Sequence, residues 1–277
     1  MNRRMVFGIV VATLGLFFEP NIVAAQNKLT IEGSTTVGPI VDAFAEVFMK
    51  EFEGLKITIR KTGSGNGAVA LVKGQCNIAA MSRFMKGKEF QTAVAKGVLP
   101  CVHTVAMDGV CIVMHPANPV KKLKMSQLRD IYLGKISNWN ELGGPDAKIV
   151  LVSRDSSSGT YETFRDIVMS GKKLSSATEY VNSNPAMHAR VSKTKFAIGY
   201  LGLGFVDKKV RAISVDGVTP TRRTIARGTY PIARPLFLWT NGYPKPGSMI
   251  HRFVTFHLSE EGQEIIEAKG FVPVTDY

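Results

Sequence analysis

Arg154-Asp155-Ser156-Ser157-Ser158-Gly159-Thr160 follows an apolar run, Ile149 to Ser153, and precedes a segment, Tyr161 to Met169, that reads as a helix. A buried strand, a loop of small hydroxyl residues and a helix start form one recurring unit of α/β proteins. The first N–H groups of a helix have no intrahelical partner and carry the positive end of its dipole. Ser and Thr add hydroxyl donors, Gly lets the backbone come close, and Arg154 supplies a planar fork of N–H groups. Two further runs repeat the pattern, Gly33-Ser34-Thr35-Thr36 and Gly63-Ser64-Gly65-Asn66-Gly67, each ahead of a helix-patterned segment. Three such ends converging on one cleft make a site for a small tetrahedral oxyanion.

The segments around these loops set the fold class. Lys28 to Glu32 reads as a strand entering the first loop, and Val37, Ile40, Val41, Phe44, Val47 and Phe48 recur at helical spacing up to Phe52. Lys56 to Lys61 alternates as a strand into the second loop, Ala68 to Val72 begins a helix that Gly74 closes, and Asn77 to Met81 is a buried-strand run ending at Ser82-Arg83. Val102 to His115 is a long apolar strand interrupted by Asp108 and Gly109, with Pro116 and Pro119 marking a boundary. Ser126 to Leu133 reads as a helix capped by Ser126, Trp139 sits in a turn, and Ala197 to Tyr200 and Val210 to Val215 read as strands. Tyr230 to Thr240 is a second long strand, and Met249 to Leu258 and Glu260 to Ala268 read as closing helices with Ser259 as an N-cap. The expected fold is α/β with two lobes, joined by two crossover strands that hinge near Cys111 and Phe237, and a ligand in the interlobe cleft. Lobe I is expected over 26–112 plus 232–277, and lobe II over 113–231. Phe44, Phe48, Phe164 and Phe237 fall at core positions.

Residues 1–25 read as a signal peptide: Arg3 and Arg4, the apolar stretch Met5 to Phe18, then Val23-Ala24-Ala25, with cleavage after Ala25. The apolar stretch is too short for a spanning helix. No Cys follows the small-residue site, so a lipoprotein-type anchor is not indicated. An exported, periplasmic protein is expected. The formal charge of the 277-residue chain is +13, and removing Arg3, Arg4 and Glu19 with the leader lowers it to +12. That balance favours anionic partners. The basic residues are scattered in pairs such as Lys121-Lys122 and Arg222-Arg223, without a nucleic-acid recognition motif, so no nucleic acid is expected. Cys76, Cys101 and Cys111 make an odd count that admits one disulfide and one free thiol, with the pairing open. No His or Cys stands at metal-ligand spacing, and neither metal nor cofactor is expected. His103, His115, His188, His251 and His257 are dispersed, and no nucleophile elbow occurs, which weighs against an exported phosphatase.

The chain resembles the phosphate-binding proteins of phosphate ABC importers, in the type II periplasmic binding protein superfamily. The resemblance covers essentially all of the chain after the leader. It rests on Gly33-Ser34-Thr35-Thr36-Val37, Gly63-Ser64-Gly65, Met81-Ser82-Arg83, Asp108-Gly109 and Gly134-Lys135-Ile136-Ser137-Asn138-Trp139. It continues through Ser153 to Tyr161, Ala197-Ile198-Gly199-Tyr200, Gly228 to Pro235 and Gly270-Phe271-Val272-Pro273; the Arg154 to Thr160 run is the most specific piece. The resemblance implies a non-enzymatic, monomeric receptor whose lobes close on inorganic phosphate and hand it to the permease subunits of an ABC importer. It implies phosphate contacts from Ser34, Thr35 and Thr36, from Ser64, from Ser82 and Arg83, from Asp108, and from Arg154, Ser158, Gly159 and Thr160. Thr35 stands where relatives vary, which leaves open which first-loop hydroxyl donates; taken alone, Thr35 and Ser156 read better as helix caps.

Two residue types decide the chemistry of such a site. Arg83 and Arg154 are the candidate guanidinium forks, each with a competing reading as a surface Arg paired to a carboxylate such as Asp155 or Glu162. Asp108 would repel a dianion unless it accepts a hydrogen from it. Phosphate carries that hydrogen at neutral pH and sulfate does not, so Asp108 would reject sulfate, molybdate and tungstate. An Asp before Gly109 is also an ordinary turn residue.

Overall fold

Each apolar run that feeds a hydroxyl-rich loop folds as a strand, and each following segment folds as a helix. The computed structural model describes residues 28–274; the leader and the cleavage point after Ala25 lie outside them. The chain runs β1 (Lys28–Gly33), α1 (Gly38–Glu51), β2 (Lys56–Arg60), α2 (Ser64–Val72), β3 (Ile78–Met81), α3 (Gly87–Ala95) and the long β4 (Pro100–Met114). It continues through β5 (Lys122–Leu123), α4 (Met125–Tyr132), β6 (Val150–Arg154), α5 (Gly159–Ile167), β7 (Glu179–Val181), α6 (Asn184–Ser192) and β8 (Ala197–Gly202). The short β9 (Arg211–Ala212), β10 (Ser214–Val215) and α7 (Arg222–Ala226) lead into β11 (Ala233–Asn241), and α8 (Met249–Thr255), α9 (Glu260–Ala268) and β12 (Val272–Pro273) follow.

One sheet ordered β2-β1-β3-β11-β4-β8-β6-β7 runs through the molecule. Its outer parts are parallel, β2-β1-β3 on one side and β8-β6-β7 on the other, as strand-loop-helix units require. The centre is antiparallel. β4 pairs with β11 from Pro100 to Gly109, then with β8 from Val110 to Met114, so one strand belongs to both lobes. The crossing is fastened where Val110 N–H donates to Ile232 O at 2.9 Å and Tyr230 Oη–H donates to Val110 O at 3.0 Å. β4 thus changes partner at Gly109–Val110, beside Ile232, whereas Phe237 is paired with Met81 and Thr104 in the first lobe's sheet.

Each lobe has its own core. In the first, Phe44 and Phe48 meet Phe253 and Phe256 edge to face beneath α1, α8 and α9. In the second, Phe164 stacks on Tyr200 at 4.1 Å between ring centroids, with Tyr132 and Trp139 packed around them. Phe44, Phe48, Phe164 and Phe237 are all buried, as their spacing requires. Each such ring contributes roughly 1.5–3 kcal/mol of hydrophobic stabilisation.

The structure departs from expectation where tertiary packing overrides local signals. α2 begins at Ser64, inside the glycine loop, because packing on β1 and β3 outweighs the helix cost of Gly65 and Gly67, about 1 kcal/mol each. α3 and α6 were not evident because they bury little: Ala93 alone in α3, and Asn184, Met187 and Val191 in α6. Ser126 lies within α4 and does not cap it; Gln127 Oε1 accepts from Lys124 N and Asp216 Oδ1 from Met125 N. The Val210 to Val215 strand divides into β9, against β4, and β10, against β5. Ser259 caps α9 as expected, accepting from Gly262 N at 3.1 Å. All three cysteines are free thiols, with Cys76 and Cys111 buried in separate core clusters, so the one disulfide their count allowed is not formed.

Candidate anion-binding site

The three hydroxyl loops meet between the lobes, and their oxygens are already occupied as acceptors. Ser34 Oγ accepts from Thr36 N and Val37 N, Ser64 Oγ from Ser82 N, and Ser158 Oγ from Tyr161 N. Thr35 Oγ1 accepts from Arg154 Nη2 and Asn184 Nδ2, and Thr36 Oγ1 accepts from Asn184 Nδ2 at 2.9 Å. A hydroxyl whose lone pairs face N–H groups turns its hydrogen the other way. The local structure thus converts five hydroxyls into donors, which is what an oxyanion needs. Thr36 and Thr160 are 3.0 Å apart across the cleft, and Ser64 and Ser82 are 3.3 Å apart.

Arg154 closes the β6 strand and is the most informative charge in the molecule. It is 1% exposed, and Nη2 donates to Thr35 Oγ1 at 3.3 Å and to Asn182 O at 3.0 Å. Nε and Nη1 have no hydrogen-bond partner. Burial pushes its pKa down to about 10, opposed by the nearby Asp155 carboxylate. A buried cation with three idle N–H bonds is costly unless an anion completes it. Around it the start of α5 adds the unpaired N–H groups of Gly159 and Thr160. The backbone of Gly159 lies so close to the first lobe that a Cβ there would stand 2.5 Å from Ser64 Oγ and 2.6 Å from Ser82 Oγ.

Asp108 is fully buried and faces Arg234, its cross-strand partner in the β4–β11 register. Arg234 Nε and Nη2 donate to Asp108 Oδ2 at 3.1 and 2.9 Å, while Leu203 N donates to Oδ1 at 2.9 Å. Burial raises the Asp108 pKa and the Arg234 charge opposes the rise. Arg234 also donates to Thr160 Oγ1 and to Ser82 O, so it ties the carboxylate to both lobes of the cradle. Arg234 and Asn184 join the site without having been expected there from the sequence. A single Arg in the apolar Tyr230 to Thr240 run, opposite a single Asp in the other long strand, was the available signal for the first.

Arg83 is engaged by carboxylates at the edge of the cleft. Its Nη1 and Nη2 donate to Glu89 at 2.8 Å each, Nη1 also reaches Phe84 O, and Nε lies 3.0 Å from Glu162 Oε2 without hydrogen-bond alignment. Two carboxylates therefore hold the guanidinium that was expected to grip the ligand. Ser34, Thr35, Thr36, Ser64, Ser82, Asp108, Arg154, Ser158, Gly159 and Thr160 do come together.

The lobes touch directly at the rim. Gly65 N donates to Ser157 O at 3.0 Å, and Ser157 Oγ donates to Thr62 O at 3.3 Å. Gly63 makes this approach possible: its φ is +106°, and a Cβ there would lie 2.5 Å from Ser157 Oγ and 2.8 Å from Ser157 O. Gly63→Ala is expected to keep the lobes apart. Small-angle scattering in saturating anion should give a larger radius of gyration than the parent, and an equal radius would show that the contact yields.

Two α/β lobes sharing donor-rich loops across a cleft define a solute-binding protein of the periplasmic type. Residues 23–261 match the PBP superfamily domain. The chain is 36% identical over 254 residues to the phosphate-binding protein PstS of Bacillus subtilis, covering 91% of this chain and 82% of the relative. It is 30% identical over 285 residues to PstS of Borreliella burgdorferi, covering 98% and 99%. A substrate-binding protein from Clostridium perfringens, solved with bound phosphate, superposes with a TM-score of 0.82 at 35% identity, covering 89% of this chain and 99% of that one. An ABC-type phosphate transport receptor from Vibrio cholerae gives 0.73 at 34% identity, covering 88% and 99%. The chain belongs to the PBP superfamily and, within it, to the PstS group of phosphate-binding proteins.

Proposed function

We propose that the chain captures inorganic phosphate outside the inner membrane and delivers it, chemically unchanged, to the permease subunits of an ABC importer. The observation that carries this reading is Arg154, buried with idle N–H bonds amid hydroxyls poised to donate. Membership of the PstS group supports phosphate as the anion and a carrier over an exported phosphatase. Phosphate is held by Ser34, Thr35, Thr36, Ser64, Ser82, Arg154, Ser158, Gly159 and Thr160, with Asp108 accepting its hydrogen. Arg234 favours the ionised form of Asp108 against the cost of burial and aims it, and Arg83, held by Glu89 and Glu162, stands at the edge of the cradle. The lobes run over 26–112 with 232–277 and over 113–231, residues 110–112 of β4 forming the crossing between them, and the receptor works as a periplasmic monomer after cleavage beyond Ala25.

Calorimetry on ligand-stripped protein tests this directly. Phosphate should bind one to one, and sulfate, molybdate and tungstate should bind far more weakly. Equal binding of sulfate would remove the role given to Asp108, and no binding of any oxyanion would remove the function itself.

A further inference from the structure

An ion cluster crosses the cleft beside the cradle. Glu162, in the first turn of α5, lies 3.0 Å from Arg83 Nε and pairs with Lys86 Nζ. Arg83 is clamped in turn by Glu89, whose Oε2 also accepts from Lys86 N at 2.8 Å. The side chains of Arg83 and Glu162 are only 8% and 6% exposed, so bulk salt screens their attraction less than a surface pair's. Arg83, Lys86 and Glu89 belong to the first lobe and together carry +1. Glu162 belongs to the second and carries −1. The cluster is neutral only when the lobes are shut. Both of its ends are fixed to ligand loops, since Arg83 follows Ser82 directly and Glu162 is two residues beyond Thr160.

We propose that Glu162 is a closure latch: a positioning residue that holds the lobes together through Arg83 and Lys86 and sets the rate of phosphate release without touching phosphate. This rests on the phosphate-receptor reading. It also explains why the Arg83 guanidinium is spread over two carboxylates. Glu89 presents it to the cleft, and Glu162 meets it on closing. Opening removes Glu162 from two cations, whereas the encounter of phosphate with the open cleft does not involve the pair. The latch therefore acts on departure more than on arrival.

Glu162→Gln, close in shape but uncharged, tests it by stopped-flow phosphate binding. Release should quicken by about tenfold with arrival changed less than about twofold, and the phosphate-to-sulfate ratio should stay as in the parent. Release from the parent should quicken with added salt, and release from E162Q should respond less. Charge reversal by Glu162→Lys should release faster still, and Glu162→Asp should recover part of the loss. Unchanged release in E162Q, or a changed anion preference, would overturn the latch. A parent that ignores phosphate overturns the functional reading alone. The latch is then decided by lobe-to-lobe distance distributions of parent and E162Q: a short-distance population missing from the variant supports it, and matching distributions overturn it.

Discussion

Arg154→Met is expected to lower phosphate affinity by roughly a thousandfold while leaving the empty protein at least as stable as the parent. Arg154 leaves its Nε and Nη1 donors unused. Two charge-assisted bonds at about 1.5–3 kcal/mol each amount to about 3–6 kcal/mol, or roughly two to four decades in affinity. In the empty protein the same group is a liability. It is buried, its Nε and Nη1 lack partners, and its depressed pKa records how poorly its charge is compensated. Replacing a buried charge with an apolar side chain of similar length is often neutral or stabilising. Melting curves separate the two effects: phosphate should raise the parent's midpoint and leave the variant's where it is, while the empty variant melts no lower than the empty parent. Arg154→Lys keeps the charge without the planar fork and should fall between them. Phosphate affinity within tenfold of the parent in R154M would remove Arg154 from the centre of the site.

Much of this site was legible because it is local. Ser153 to Thr160 contains strand end, guanidinium, cap and helix start in consecutive residues, and the first two loops repeat that grammar. The strands were legible for the same reason, since a run such as Ile78 to Met81 is apolar throughout and wholly buried. What could not be read depends on distant partners. Asp108 and Arg234 become neighbours only through the antiparallel register of β4 and β11, and Asn184 meets Thr35 and Thr36 only when the lobes come together. For Arg83 the sequence offered a ligand role and a carboxylate partner such as Glu162 side by side, and its contact with Glu162 is the second of these. Glu89 sits in α3, a surface helix with no apolar stripe to announce it, and Glu162 arrives from the opposite lobe.

Asp108→Asn is expected to cut the phosphate-to-sulfate preference by roughly ten- to a hundredfold, chiefly by letting sulfate in. Facing a carboxylate, phosphate can offer its hydrogen, whereas sulfate offers only lone pairs, and the mismatch inside a dry site is worth about 1–3 kcal/mol. An amide can turn its NH2 toward sulfate and its oxygen toward phosphate, so the discrimination fades. The substitution has a second effect, because it strips Arg234 of the carboxylate held at 2.9 and 3.1 Å. Breaking a buried pair from one side costs about 3–5 kcal/mol, and either anion should return part of that stability by binding beside the freed cation. Acid should mimic the substitution in anion preference alone. Burial raises the Asp108 pKa, so the folded state holds this proton more tightly than the unfolded chain, and the group's contribution to stability falls as pH rises through the interval between the two values. Below the raised value Asp108 becomes a donor, so the parent should gain sulfate affinity on acidification and D108N should not. If D108N melts lower yet keeps the parent's anion preference, Asp108 only balances Arg234, and the choice of phosphate is made by other groups.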